Sequence, residues 1–403
     1  MRFTAVLYKV NYYRHFQRVW KRQSRLQATN LEIPEALKEM GVSIKNAKEI
    51  LTETQRFPVV KKSFVPFPIP PSVFDEGTYY YVMHGKTKVS ESENQTLALT
   101  KTILYQGLPS QLQSLIGVES LPNQDELVQT SLLQAQVWDG DQFKLPKKLD
   151  IKNPGYNFKR VYGTRHKKKV FGLLEKLIFL CDGAIGKYPA CLYRDKVKDA
   201  FCNINIDRSG SNVTFEMPCD VLVTSNEPLK NFASPSEVAE TEKLKVPNVF
   251  PIKPTLDLDK LEEKPPSPSI ARFNNKHIHT LFMAQKSFGF WFPKQTLARA
   301  IAACFSFTAK EAQMKYGVDV KVLPEPISVQ CVYMDIKSFN FLAYQLNTLE
   351  LDHNDGIKNQ VWVDTPLNLY DEVSETNLIT NYNPDVFPRM LALYINGLHP
   401  TAT

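Results

Sequence analysis

Two proline-rich stretches interrupt the chain and limit where a folded core can form. One covers 57–71 with five prolines, and the other covers 247–268 with six. Proline fixes φ and lacks a backbone N–H donor, so neither stretch is expected inside a helix or a central strand. We therefore predict an extended arm over 31–75 and a linker or surface loop over 247–269. An SH3-type ligand is the alternative for the first stretch, but its flanks match such ligands poorly.

The segments between the proline-rich stretches carry both helical and strand periodicity. Helical patterns cover Ser92–Tyr105, Asn123–Trp138, the region near Val170–Ile185, Pro293–Tyr316 and Pro384–Ile395. Strand patterns cover Gly77–Met83, Phe201–Thr224, Ile327–Asp335, Phe339–Asn347 and Gln360–Asp364. This mixture predicts an α+β fold with mixed sheets, hairpins and packed helices, in an N-terminal lobe (76–246) and a C-terminal lobe (270–403).

The formal net charge of +7 is concentrated at the N-terminus. Residues 1–30 hold seven basic and no acidic residues, so the rest of the chain carries 42 of each sign. On a helix, Arg14, Arg18 and Arg22 fall on one side, and Phe16 and Trp20 fall on the other. An Arg-rich, acid-free, amphipathic segment is typical of a mitochondrial presequence, which predicts the matrix as the destination. A membrane-surface helix and an RNA-binding arm are the alternatives.

A second basic segment lies at 144–170, where ten basic residues accompany one acid, Asp150. Interleaved aromatic residues offer faces on which unpaired bases stack. Pro154 and Gly155 predict a loop, and lysine-rich contact implies binding to phosphates without sequence readout. The alternative is a solvated charged loop. The predicted RNA-contacting residues are Lys144, Lys147, Lys148, Lys152, Lys159, Arg160, Arg165, Lys167, Lys168 and Lys169.

Motifs for catalysis or cofactor binding are absent from the sequence. It has no P-loop, dinucleotide-binding fingerprint, serine elbow or HExxH pair. His277 and His279 lack a neighbouring cluster that would complete a metal site. Asp352–Gly356 resembles a calcium loop, but it is one residue short and has no closing glutamate. We therefore predict a protein that is not an enzyme and has no cofactor or metal.

The remaining expectations concern thiols and membranes. The six cysteines form no CxxC pair, so reduced thiols are expected. No apolar stretch reaches the roughly 18 residues of a membrane span.

Three hypotheses for the function of this chain therefore stand side by side. One is a structural role, another is a matrix enzyme or RNA-processing factor of unrecognised class, and the third is a free adaptor.

The segment Phe341–Asp364 reads FLAYQLNTLELDHNDGIKNQVWVD. It resembles the pattern FLxxQLNTxxLDxNxGxKNxxWVD of a family of mitochondrial ribosomal proteins. This family includes large-subunit protein thirty-seven and its paralogue, programmed cell death protein nine. Further similar stretches are Leu99–Pro109, Asn123–Glu126, Gly317–Pro326 and Phe387–Gly397. The resemblance extends from about residue 76 to the C-terminus.

This resemblance implies a structural component of the mitochondrial large ribosomal subunit that supports mitochondrial translation. Its implied partners are the large-subunit rRNA and other mitochondrial ribosomal proteins, including the paralogue. No catalytic residues carry over. Within the pattern, Gly356 is expected to supply a turn, and Trp362 and the Leu346–Leu351 run are expected to pack in the fold. Asn347 and Asn359 are expected to satisfy buried backbone groups.

Overall fold

The computed structural model describes residues 35–41, 79–137, 143–145, 162–208, 210–262, 277–285, 291–373 and 379–400. The predicted presequence and most of the predicted arm lie outside these residues. The chain divides into two compact units, Met1–Asp75 and Glu76–Thr403. In the first unit, the described part is a short helix, α1 (Glu35–Glu39), and the turn after it.

The second unit contains the remaining described elements. Its helices are α2 (Ser92–Leu99), α3 (Ser110–Gln113), α4 (Gln124–Val137), α5 (His166–Asp182), α6 (Pro235–Glu240), α7 (Pro293–Tyr316) and α8 (Val386–Ile395). Its strands are β1 (Tyr80–His84), β2 (Thr102–Gln106), β3 (Phe143–Lys144), β4 (Tyr162–Gly163), β5 (Lys196–Arg208), β6 (Ser211–Ser225), β7 (Asp259–Leu261), β8 (His277–Ala284), β9 (Val322–Met334), β10 (Ser338–Thr348), β11 (Asn359–Val363), β12 (Leu367–Asn368), β13 (Glu372–Val373) and β14 (Ile379–Thr380).

Ten of the described strands form one mixed sheet, which confirms the predicted α+β class. Its order is β2-β11-β10-β9-β8-β6-β1-β7, with β5 paired to β6 and β12 paired to β10. The pairs β2/β11, β8/β9 and β1/β6 are parallel, whereas β5/β6 and β9/β10 are antiparallel hairpins.

Strands from both predicted lobes take part in this sheet. Strand β8 lies between β6 and β9, and β2 pairs with β11 near the other end of the chain. The two predicted lobes therefore share one sheet. Part of the predicted linker at 247–269 is itself ordered into the sheet, because β7 pairs with β1 through the register Val82↔Asp259.

Helices cover both faces of the sheet. Helices α2 and α7 pack on one face, in a cluster with side chains such as Phe305 and Tyr344. Helices α4, α5 and α8 pack on the other face, in a cluster with Leu174 and Tyr394. The predicted bounds of α7 are confirmed. It opens at Pro293, whose missing N–H is tolerated in a first turn, and ends before Gly317 at φ +99.

The predicted helix Ser92–Tyr105 is wrong in its second half. Helix α2 ends at Leu99, and Thr102–Gln106 forms β2, parallel to β11. The break falls at Lys101, whose φ of +49 is not helical. Thr102 and Ile103 are β-branched and suit a strand, and pairing with β11 overrides the local helical pattern.

Two asparagines in the Phe341–Asp364 segment are buried, and both make the backbone contacts expected of them. Asn359 Oδ1 accepts the backbone N–H groups of Asn347 and Thr348 at 2.8 and 3.0 Å. Asn359 Nδ2 donates to the carbonyls of Thr100 and Thr348 at 2.9 and 3.0 Å. Asn347 Nδ2 donates to the Lys358 carbonyl at 2.8 Å. The network joins β10, β11 and the start of β2.

The same segment contains two further features of the family pattern, the turn at Gly356 and the side chain of Trp362. Gly356 has φ +77 and supplies the expected turn. Trp362 packs against a core cluster as expected, and its side chain is partly buried. Its ring stacks on Tyr105 at 5.6 Å and meets Phe232 edge-on at 6.0 Å. Alternation along β11 turns Trp362 toward the sheet face bearing α5 and α8, at the rim of that cluster.

Candidate nucleic-acid interface

The two ends of the basic segment are held together by a short ribbon. Strands β3 and β4 pair with the register Phe143↔Gly163 and Lys144↔Tyr162. Phe143 and Tyr162 are exposed, at 37% and 59%. The structure therefore places Lys144 beside the residues that lead into α5. Five predicted contact residues lie outside the described ranges: Lys147, Lys148, Lys152, Lys159 and Arg160.

Arg165 connects this ribbon to α5. Its guanidinium carbon lies 4.0 Å from the centre of the Phe143 ring, a cation–π contact. Its backbone is extended, at φ −64 and ψ 141, and its carbonyl accepts the N–H groups of Lys168 and Lys169 at 3.0 and 3.1 Å. Arg165 is thus the N-cap residue of α5, with no side-chain cap.

The predicted loop is therefore too long at its C-terminal end. Lys167, Lys168 and Lys169 lie in the first turn of α5, which begins at His166 and not near Val170. The apolar face that indicates a helix starts only at Val170. Three lysines in a first turn oppose the helix dipole, so the local pattern favoured a loop. Burial of the face that follows compensates for this, because Val170, Leu173 and Leu174 are fully buried.

The first turn of α5 has an unusual concentration of positive charge. It contains no acidic residue. Lys167 and Lys168 are exposed, while Lys169 is partly buried, and that burial lowers the pKa of Lys169. Backbone N–H groups and the positive end of the dipole add to the lysine charges. An anion is stabilised at such a helix end, and a phosphate backbone supplies anions in a row.

Helix α5 holds these cations on a rigid element. Two salt bridges tie it to strand β5: Glu175 with Lys198, and Asp182 with Lys196. Its C-terminal half packs into the cluster on that face of the sheet. The three lysines thus lie in the first turn of this helix, Arg165 precedes it, and Lys144 lies in the ribbon opposite Tyr162.

The two histidines considered as metal ligands have protein partners. His277 Nδ1 lies 2.7 Å from Glu311 Oε1. His279 Nδ1 lies 2.7 Å from Thr280 Oγ1. Among the described residues, no three His, Cys, Asp or Glu side chains are arranged to hold a metal ion. Both histidines therefore serve structural contacts.

Two further observations concern cysteines and helices. All six cysteines are buried free thiols. Within the described ranges, no helix combines the length and the apolar character needed to cross a membrane.

Arg194 is a buried arginine beside His279 that the sequence does not reveal. No pattern in the sequence distinguishes it from a surface arginine.

Comparison with known proteins places these features in a family context. Residues 293–397 match the family described as mitochondrial 28S ribosomal protein S30 (PDCD9). A large ribosomal subunit protein mL37 from Gallus gallus is 29% identical over 336 residues, which are 79% of this chain and 74% of the relative. The mL37 proteins of Mus musculus and Bos taurus are each 28% identical over 79% of this chain and 75% of their own length. The chain is thus similar to mL37 proteins over most of its length.

The region matched by the family covers particular elements of this fold. The family match begins at the first residue of α7 and ends two residues after α8. It contains the β9–β10 hairpin, β11 and the Asn347–Asn359 network. The likeness to mL37 reaches beyond this region, because it covers 79% of the chain.

Proposed function

We propose that this chain is a structural, non-catalytic component of the mitochondrial large ribosomal subunit, located in the matrix. The similarity to mL37 proteins over 79% of the chain carries this proposal. The family model that matches 293–397 bears the name of a 28S ribosomal protein. The mL37 likeness covers more of the chain, so it favours the large subunit.

We further propose that the basic segment at 144–170 contacts the large-subunit rRNA. Support comes from the exposed Lys167 and Lys168, the Arg165–Phe143 pair and the positive end of α5. These groups bind phosphate and do not distinguish one RNA sequence from another. The other partners are expected to be mitochondrial ribosomal proteins, including the paralogue.

Sedimentation of a tagged full-length chain tests the assignment to the subunit. Mitochondrial lysate is separated on a sucrose gradient at physiological salt. We expect the tag in fractions that hold large-subunit rRNA. A tag in small-subunit fractions, or free at the top of the gradient, would contradict the proposal. A free position would instead favour the matrix enzyme or RNA-processing factor.

A charge-removal variant tests the rRNA contact separately. Changing Lys167, Lys168 and Lys169 to glutamine removes three positive charges from the first turn of α5. The matched control changes the exposed Lys230, Lys243 and Lys245 to glutamine. Loss of phosphate contacts reduces the release of counterions, so the first variant should leave the subunit at lower salt than wild type.

The control should dissociate at the same salt as wild type. Crosslinking from position 167 gives the direct measurement, and rRNA should dominate the products. Equal salt resistance of both variants, or crosslinks to protein only, would show that this helix end is not an RNA contact. The assignment to the subunit would stand on its own in that case.

A further inference from the structure

Arg194 is a buried cation whose donors are not all used. It follows the 3₁₀ turn Pro189–Tyr193 and is 7% exposed. Its Nη2 group donates to the Asn396 carbonyl at 2.9 Å and lies 2.9 Å from His279 Nε2. Its Nε and Nη1 atoms are buried and have no hydrogen-bond partner.

No carboxylate balances this charge among the described residues. Asp182, whose charge acts on Arg194, is only partly buried; it accepts the Tyr394 hydroxyl at 2.5 Å and pairs with Lys196. The Tyr394 ring, 5.1 Å from the guanidinium carbon, gives a cation–π contact only. His279 is fully buried and its pKa is well below the usual value, so it is neutral and does not offset the charge of Arg194. An arginine cannot escape the cost of burial by losing its proton.

Arg194 is one of the residues that line a cavity of about 260 Å³. Apolar residues, Ala190, Leu229 and Leu398, form part of its wall. Exposed residues, Asn226, Glu227 and His399, lie at its mouth and leave it open to solvent. This volume is below the range of about 300–1,000 Å³ common for small-molecule sites, so it suits a single side chain or chain end.

We infer that this cavity binds one carboxylate from a protein partner, either a C-terminal carboxylate or an Asp or Glu side chain. One buried guanidinium matches one negative charge, and Arg–carboxylate hydrogen bonds are strong when desolvated. An RNA backbone fits less well. It needs several cations, but Arg194 is the one Lys or Arg among the residues that line the cavity.

This inference does not depend on the proposed function. It is tested on the purified full chain with three short peptides. One is Ac-Ala-Ala-Leu with a free C-terminal carboxylate, one is the same peptide as an amide, and one is Ac-Ala-Glu-Ala-amide. We expect a carboxylate peptide to raise the melting midpoint and to bind in calorimetry, and the Leu amide to do neither. The comparison of the free-acid and Glu peptides identifies the source of the carboxylate.

Arg194→Met provides the variant. It should weaken carboxylate binding by about tenfold or more, and the free variant should melt no lower than wild type because an unpaired buried charge is gone. The matched control is Arg389→Met, since Arg389 Nε pairs with Asp364 Oδ2 at 3.2 Å. It should melt lower and still bind the peptide.

Three results would overturn the inference. The first is an absent response of wild type to both carboxylate peptides. The second is a larger response to inorganic phosphate at the same concentration. The third is a markedly lower melting midpoint for free Arg194→Met, which would show that Arg194 stabilises the unliganded protein.

Discussion

Asn359 Oδ1 accepts the backbone N–H of Asn347 at 2.8 Å, and through this contact a side chain of β11 takes the place of a backbone acceptor for β10. The same Asn359 amide donates to Thr100, just before β2. The successive strands β10 and β11 and the distant strand β2 therefore depend on one fully buried amide. Asn347 and Asn359 thus satisfy buried backbone groups, as the family pattern predicts, and they fix this end of the sheet.

Asn359→Leu should destabilise the protein strongly. Leucine has a similar volume but satisfies none of the four backbone groups that Asn359 contacts. Each buried group left unpaired costs about 1–3 kcal/mol, so a loss of about 3–5 kcal/mol is expected in the free energy of unfolding. Urea unfolding measures it. The exposed Asn368→Ala is the control and should stay within about 0.5 kcal/mol of wild type.

Trp362→Ala should destabilise the protein by about 2–3 kcal/mol, less than the roughly 3–5 kcal/mol of a fully buried tryptophan. The expected cost is lower because the Trp362 side chain is partly exposed. Part of the remaining cost comes from the loss of its stacking on Tyr105 at 5.6 Å. A double-mutant cycle with Tyr105→Ala should give a coupling energy of about 0.5–1.5 kcal/mol. A coupling energy near zero would mean that the two rings are not stacked in solution.

Two glycines allow a matched comparison, because a Cβ added at either one meets nothing within 4 Å. Gly356 has φ +77, so Gly356→Ala should cost about 1 kcal/mol through backbone strain. Gly172 lies inside helix α5, so Gly172→Ala should add up to about 1 kcal/mol of stability. Thermal melts of the two variants should shift in opposite directions. Shifts of the same sign would contradict this account.

The sequence predicts the elements of this fold better than it predicts their pairing. Local signals define α7, with Pro293 and Gly317 at its ends, and the hairpin at Lys337–Ser338. Strand β2 was misassigned because its strand character comes from pairing with β11, more than 250 residues away. The start of α5 was missed for a similar reason, since buried contacts of its later turns stabilise a lysine-rich first turn. Arg194 could not be found, because burial of an arginine is set entirely by tertiary packing.

Fusing residues 1–30 to a soluble reporter should deliver it to mitochondria. The segment combines seven basic residues with no acid, and its cationic and aromatic sides are segregated. Changing Arg14, Arg18 and Arg22 to glutamate should abolish import. The control changes Gln17, Gln23 and Gln27 to alanine, which leaves the charge intact. Microscopy and protease protection of the reporter measure the outcome, and a cytosolic reporter with the intact segment would refute the presequence.

The stability of the protein should fall as the pH drops below about 6.5, and His279 should account for part of that fall. Burial lowers the pKa of His279 well below 6.5, and the charge of Arg194 lowers it further. Near pH 6.5, His279 binds a proton in the unfolded chain but not in the folded protein. Folded-state stability is therefore complete above that pH, and it decreases below it by up to about 1.4 kcal/mol per pH unit for this group. The partly buried His166, whose pKa is lowered by burial, acts in the same direction.

His279→Gln separates this contribution from the rest. The variant loses contacts to Thr280 and Asn396, so it should be less stable than wild type at pH 7.5. Between pH 6.5 and 5.5, however, its free energy of unfolding should decline less steeply than that of wild type, because one titrating group is gone. Urea unfolding at pH 7.5, 6.5 and 5.5 gives both quantities. His399→Gln changes an exposed histidine and should keep the wild-type slope. Equal slopes of the free energy of unfolding against pH for His279→Gln and wild type would contradict this account. They would show that His279 binds its proton as readily in the folded protein as in the unfolded chain. In that case Arg194 would not lie beside a neutral imidazole.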